Sequence, residues 1–300
     1  MKRAIHFVCF AALTSGCVSS PAKAESGSST KNAIHTHIFR DGESFLYNYD
    51  DTDITYCGDL KGGITVATDP LAIQQIKIFT KTDVSGPADN LSHKIGILSG
   101  TEFREADASK FGAAQFSPVS KLIKNYPASM SYSYPSESYA LSHLFDLFKT
   151  STGNPGFMAD PVSQILFFKT QDVHQMQDSA LEVHDGLMPG ESYITPAHDT
   201  QGLGGKFTGG PAQYLYVDTE KLDGVNVAQV RVTNLGNQFS TDSVNVFTNF
   251  TFTMYIALEG SKKGLLISGT GQETAYPKQS KPDDQCPHPV LQRQFSIRLK

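Results

Sequence analysis

The chain has 300 residues, 39% of them hydrophobic, no tryptophan, and 25 Lys plus Arg against 30 Asp plus Glu, a formal net charge of −5. Such a chain can bury the core of one large or two modest domains, so no disulfide scaffold is needed to fold it. A mildly acidic sequence without a basic run excludes nucleic acid as a partner and an electrostatic grip on anionic membrane, because both need clustered Lys and Arg.

The opening residues, "MKRAIHFVCFAALTSGCVSSPAKAES", set Lys2 and Arg3 before an apolar run from Ile5 to Leu13 and then small residues, the order of an export signal peptide. The run is too short to anchor the chain across a bilayer. Two processing routes compete. "AKA" at Ala22 to Ala24 fits ordinary cleavage, making residues 1–24 the signal peptide. "TSGC" ending at Cys17 resembles a lipoprotein box, with Thr14 where an aliphatic residue is usual, and makes lipidation of Cys17 the alternative. Cleavage after Ala24 removes Lys2, Arg3 and Lys23, which takes the basic count from 25 to 22 against 30 acids and leaves a net charge near −8. The destination is therefore expected to be exported: periplasmic, secreted or an outer-membrane lipoprotein, with membrane association only through the lipid anchor.

Signal removal leaves Cys57 in "TYCGD" and Cys286 in "DDQCPHP". An oxidising compartment would couple them, tying the first strands to the last. Residues 25–33, "ESGSSTKNA", have nothing to bury and read as a disordered tether. From Ile34 to about residue 100, "SFLYNY", "GGITVAT", "QQIKIFT" and "HKIGIL" are short alternating or apolar runs cut by Asp, Gly and Pro, the pattern of strands. Within them "DDTD", Asp50 to Asp53, reads as a solvated acidic turn. Asp51, Asp53 and Thr55 have the spacing of a calcium loop, but Tyr56 and Gly62 stand where an EF-hand needs Gly and Glu. His35 and His37 in "HTH" fall on one strand face, as a chelating pair would, or simply belong to a frayed first strand.

Between 99 and 150 the period changes. Ser99 and Glu102 have capping-box spacing, Ser117 and Pro118 open a second segment, and Leu141, Leu144, Phe145 and Phe148 make a helical stripe. This predicts a helical insertion. "TSTGNPG" then forces a break, a sub-boundary at 151–161. Beyond it "SQILFFK", "QYLYVD", "NVAQVRV", "VNVFTNFTFTMYIAL", "GLLISG" and "RQFSIRL" read as strands. The segment "YPKQSKPDDQCPHP" has too many prolines for a central strand. The fold class is mainly β, antiparallel and sandwich-like, with the helical insertion at 99–150; α+β is the alternative description. Residues 34–300 form one β-rich domain.

The run Val244 to Leu258 puts Val244, Val246, Thr248, Phe250, Phe252, Met254, Ile256 and Leu258 on one parity, predicting a long strand with that face buried in protein. Its return strand, "GLLISGTGQ", is short and loses alternation, which argues against a lipid-inserting hairpin at 244–270.

The polar cluster richest in chemistry is "EVHDGLMPGESYITPAHD", carrying Glu182, His184, Asp185, His198 and Asp199 around a Pro189-Gly190 turn. Two imidazoles with carboxylates suit zinc or another divalent metal. Neighbouring His and Asp on a strand face opposite ways, however, so spacing alone does not converge them. "GLGGKFTGGP", Gly202 to Pro211, departs from a phosphate loop at Thr200 and Phe207 and reads as a glycine-rich surface loop. There is no GxSxG elbow and no HExxH helix.

The functional expectation is an exported cell-envelope or secreted protein, not an enzyme, that presents loops to a protein or glycan partner and needs no cofactor. Its rivals are a metal-dependent hydrolase with a site around 182–199 and a membrane-inserting pore former using the 244–270 hairpin.

Overall fold

In a computed structural model, the described residues are 32–61, 64–87, 91–107, 129–134, 169, 172–174, 176–202, 205–240, 244–279, 286 and 288–300. They build a 12-stranded sheet in which every pairing is antiparallel. The first long strands are β1 (Ser44–Lys61), β2 (Ile64–Ser85), β3 (Leu91–Asp107) and the short β4 (Ser129–Tyr134). After a helix α1, whose described residues lie within 169–181, come β5 (Ser192–Thr195), β6 (His198–Gly202), β7 (Gly205–Gly209), β8 (Ala212–Leu222) and β9 (Val225–Ser240). The chain closes with β10 (Val244–Ala257), β11 (Leu266–Gln279) and β12 (Pro289–Leu299). The spatial order is β4-β3-β2-β1-β12-β11-β10-β9-β7-β6, with β8 and β5 also beside β9.

The architecture is thus mainly antiparallel β, as the runs and turns predict. Its layers arise from one open sheet, whereas a sandwich would use two. Strand β1 pairs with β12 from Tyr47↔Leu299 to Cys57↔Pro289. The Cys57–Cys286 disulfide, with Cα atoms 5.4 Å apart across 229 residues of sequence, locks the same junction.

One parity of each central strand faces α1. Tyr47, Tyr49, Ile76, Ile78, Ile297, Phe295, Met254, Phe252, Val230, Val232, Tyr214 and Tyr216 form a single core with Val173, Met176 and Ala180 of the helix. The Val244 to Leu258 run behaves as its alternation requires: Val246, Thr248, Phe250, Phe252, Met254, Ile256 and Leu258 are all buried.

Four expectations are corrected. The return strand is not short, because β11 pairs with β10 from Ile256↔Leu266 to Val244↔Gln279. Its alternation is hidden by glycine: a Cβ on Gly269 would lie 2.5 Å from the Phe252 ring, and one on Gly271 would lie 2.2 Å from the Phe295 ring. The rings occupy the room that side chains would need. Ser99 and Glu102 do not start a helix, since both sit in β3, opposite Phe79 and Lys77 of β2. Here sheet pairing overrides a local capping pattern. The rest of the expected insertion falls outside the described residues, apart from β4. The segment Gly202 to Pro211 is no irregular loop either; β6 and β7 pair as a hairpin from His198↔Gly209 to Gly202↔Gly205. Finally, "DDTD" is mid-strand in β1.

The prolines obey their own constraint. Pro277 lies past Ala275, the last residue of β11 paired to β12, so its missing N–H costs no ladder bond on that side. Pro289 opens β12, and Pro70 sits at a bulge in β2 opposite Tyr56.

Candidate functional site

The residues singled out around 182–199 each have a partner, and the partners differ. Tyr214 donates its hydroxyl to Glu182 Oε2 at 3.3 Å, and Tyr193 donates to the Glu182 carbonyl at 3.1 Å. His184 stacks on Tyr193, with centroids 3.6 Å apart, and Tyr193 stacks on Tyr214 at 4.8 Å. Asp185 Oδ1 lies 3.2 Å from His35 Nδ1 and accepts the Thr36 amide at 3.1 Å. Asp199 pairs with Lys206 across the hairpin at 2.8 Å. His198 is the first residue of β6, paired to Gly209. Among the described residues no group of three or more His, Cys, Asp or Glu is set to hold a metal. His35 and His37 likewise part company: His37 Nδ1 donates to the Lys263 carbonyl at 2.7 Å, and its Nε2 lies 3.2 Å from Glu43 Oε2.

The chemistry that the sequence conceals lies under β1. Alternation from Tyr47 and Tyr49 carries Asp51 and Asp53 onto the inner face, not into solvent. Register then sets Asp53 beside Arg293, and Arg293 beside Glu273. Helix α1 adds Lys169 and Asp172. Arg293 Nε donates to Asp51 Oδ1 at 3.1 Å, while its Nη2 contacts Asp172 and the Tyr49 hydroxyl. Tyr49 passes a hydrogen bond to Asp51 Oδ2 at 3.1 Å. Lys169 pairs with Asp51 and reaches Asp53 Oδ2 at 2.9 Å. Glu273 is left with the Arg293 guanidinium at 3.6 Å and no hydrogen bond to either oxygen.

Four carboxylates thus share two cations beneath the sheet, and the electrostatics divide them. Burial pushes Glu273 up to about 7, with Arg293 pulling the other way. Burial also raises Asp53 and Asp172. Burial alone would raise Asp51 as well, but Arg293 and Lys169 beside it prevail and hold it below the usual carboxylate range. Asp51, Glu273, Arg293 and Lys169 are all buried, so the cluster cross-links β1, β11, β12 and α1 inside the core. Within it, Glu273 is the carboxyl whose protonated form burial favours most plainly.

The opposite face of the same strands is polar and open. A groove of about 510 Å³ is lined by Asp50, Thr52, Thr251, Thr253, Thr270, Gln272, Gln294 and Ser296, with the strand residues Asp51, Gly271 and Phe295 between them. The first eight fall into two rungs fixed by register. One runs Asp50↔Ser296↔Thr270↔Thr253 and the next Thr52↔Gln294↔Gln272↔Thr251, each crossing β1, β12, β11 and β10. Asp50 is partnered by Lys77 at 3.9 Å, and Thr52 accepts from Gln75 at 3.3 Å. The neighbouring rung holds Asn48, Arg298, Ser268 and Tyr255. Short hydroxyl side chains therefore lie between longer Gln, Arg and Tyr side chains, which explains a depression on a sheet face. Alternation across four strands could have located this surface, once their order was known.

No family model matches the chain, and none of the curated proteins matches it. Among solved structures, a lipovitellin structure concerned with lipid–protein interactions aligns at 12% identity and a TM-score of 0.47, covering 87% of this chain and 25% of that one. The chain therefore spans about a quarter of that structure's length. DynF from the dynemicin biosynthesis pathway of Micromonospora chersina aligns at 7% identity and a TM-score of 0.23, covering 96% and 95%. Salmonella typhi OmpF in complex with daunomycin aligns at 8% identity and a TM-score of 0.22, covering 86% and 98%. All three TM-scores are below the level at which a shared fold carries an argument, so the reading of this chain rests on its own geometry.

Proposed function

We propose that this chain is an exported, non-catalytic β-rich protein of the cell envelope or extracellular space that binds a protein or glycan partner through the outer face of its sheet. The observation that carries the reading is the groove over β1, β12, β11 and β10. Binding sites are concave, and a lining of hydrogen-bonding side chains suits a polar partner. The face is preferred to the 182–199 segment because that segment spends its polar groups on its own contacts. The Cys57–Cys286 pairing supports export, since such bonds persist in oxidising compartments.

The test is co-sedimentation with isolated envelopes of the producing cell, using wild type and Thr270→Trp, which fills the groove from an exposed position. The reading predicts that wild type pellets with the envelopes and that the variant stays in the supernatant at an unchanged melting temperature. Equal sedimentation of both proteins would overturn it.

A further inference from the structure

We infer that the groove takes a neutral glycan chain lying across the strands, a proposal that rests on the binding role given above and names its ligand class. Three features of the surface select that chemistry. The first is the side-chain type. Seven of the eight groove-lining side chains outside the backbone of β1, β11 and β12 are Thr, Ser or Gln, each able to donate and accept, and the eighth, Asp50, already faces Lys77 at 3.9 Å. A hydroxyl-rich ligand needs such ambivalent partners, because each sugar hydroxyl both gives and takes a hydrogen bond. An anionic polymer would want free Lys or Arg there, and a hydrophobic segment would want an apolar floor; the lining supplies neither.

The second feature is periodicity. The register presents one hydrogen-bonding side chain per strand along each rung, at the interstrand spacing of about 4.8 Å. That step is commensurate with the repeat of an extended pyranose chain, so successive sugars meet successive strands. The Thr52↔Gln294↔Gln272↔Thr251 rung continues in register to Thr233 and Gln213 on one side and Gln75 on the other, keeping the same chemistry beyond the groove.

The third feature is the flank. Tyr255, opposite Ser268, stands one rung from Thr253 and Thr270 on the same face. An aromatic ring beside a polar floor offers an apolar platform to the C–H face of a sugar. Arg298, one rung from Ser296, is occupied by Asp223; the cations that continue the Asp50 to Thr253 rung, Lys77 on β2 and Arg231 on β9, stand beyond the groove at its two edges, so the floor itself stays neutral apart from Asp50.

The experiment is titration calorimetry of the full exported chain with cellohexaose and chitohexaose as neutral probes and polygalacturonate as the acidic control, on wild type and on Gln272→Ala/Gln294→Ala. The inference predicts binding to a neutral hexasaccharide, none to polygalacturonate, and a loss of affinity of about ten-fold or more in the double variant, as expected for removing two amide hydrogen-bonding groups. Both replaced residues are exposed, so the melting temperature should hold. Binding that is indifferent to the double variant overturns the inference, as does preference for the acidic polymer. Absence of binding to both neutral probes, combined with Thr270→Trp-sensitive sedimentation that survives glycosidase but not protease treatment of the envelopes, rejects the glycan and keeps the face-binding role with a protein partner. Self-association of the free chain that Thr270→Trp abolishes would also overturn the inference, by giving the face to a second copy.

Discussion

Glu273 shows what a single inward parity can impose. Strand β11 turns Gly269, Gly271, Glu273 and Ala275 to the core, and among the described residues Arg293, at 3.6 Å, is the one cation paired with the carboxylate. Burial raises its pKa from 4.5 to about 7. The folded state therefore holds a proton that the unfolded chain has released across that window, and stability declines as pH rises through it, levelling off above about 7. The raised Asp53 and Asp172 act in the same direction, whereas Asp51, held low by Arg293 and Lys169, contributes stability that is lost only when the pH falls into its lowered range. Glu273→Gln keeps the shape and removes the titration. Urea midpoints at about pH 5 and about pH 8 should show the variant gaining on wild type at the higher pH, by up to about 3 kcal/mol at 1.36 kcal/mol per pKa unit. An unchanged difference between the two pH values would mean that Glu273 does not carry the surplus charge. The opposite experiment, Arg293→Met, leaves Asp51 and Asp172 buried without their shared guanidinium and should cost roughly 3 to 5 kcal/mol, read by the same midpoint.

At the scale of elements, legibility followed the side chains that fill space. Strand β10 announces itself, because Phe250, Phe252, Met254 and Ile256 are large and alternate with polar residues. Burying each contributes roughly 1.5 to 3 kcal/mol. Phe252→Asp should consequently remove the protein from the soluble fraction on expression, and normal solubility with an unaltered circular-dichroism spectrum would contradict the burial of that face. Its partner β11 was misread for the complementary reason: Gly269 and Gly271 are inward residues whose space belongs to the Phe252 and Phe295 rings of adjacent strands. A pattern carried jointly by two strands is invisible in either one. The same holds for β1, where Asp51 and Asp53 look like a turn until their parity with Tyr47 and Tyr49 is extended and Arg293 and Lys169 are known to lie opposite. The capping pattern at Ser99 failed in the other direction, since strand pairing with β2 prevailed over a local signal.

For the whole molecule, the junction of first and last strands is the organising contact. The Cys57–Cys286 bridge was legible once Cys9 and Cys17 were set aside with the export signal, and β1 against β12 is the consequence that sequence logic drew from it. In the chain-entropy model a loop of this length contributes about 5 kcal/mol as an upper figure. Cys57→Ala/Cys286→Ala should lower the unfolding free energy by up to that amount while leaving the strand register intact. A double variant as stable as wild type would reduce the bridge to a marker of compartment. The groove was not legible in the same way, because its two rungs draw side chains from residues 50–52, 251–253, 270–272 and 294–296, which only the sheet brings together. One sheet thus holds a charged cross-link on its inner face and a groove lined mainly by Thr, Ser and Gln on its outer face, along the same strands. The most direct test of that division is hydroxyl-radical footprinting of the protein with and without isolated envelopes, because it reads side chains and so separates the faces. Binding through the outer face predicts slower oxidation of Tyr255 beside the groove, with Ile194, 66% exposed in the 182–199 segment, reacting at its free rate. Protection of Ile194 with Tyr255 unaffected would contradict the account and move binding to the 182–199 segment.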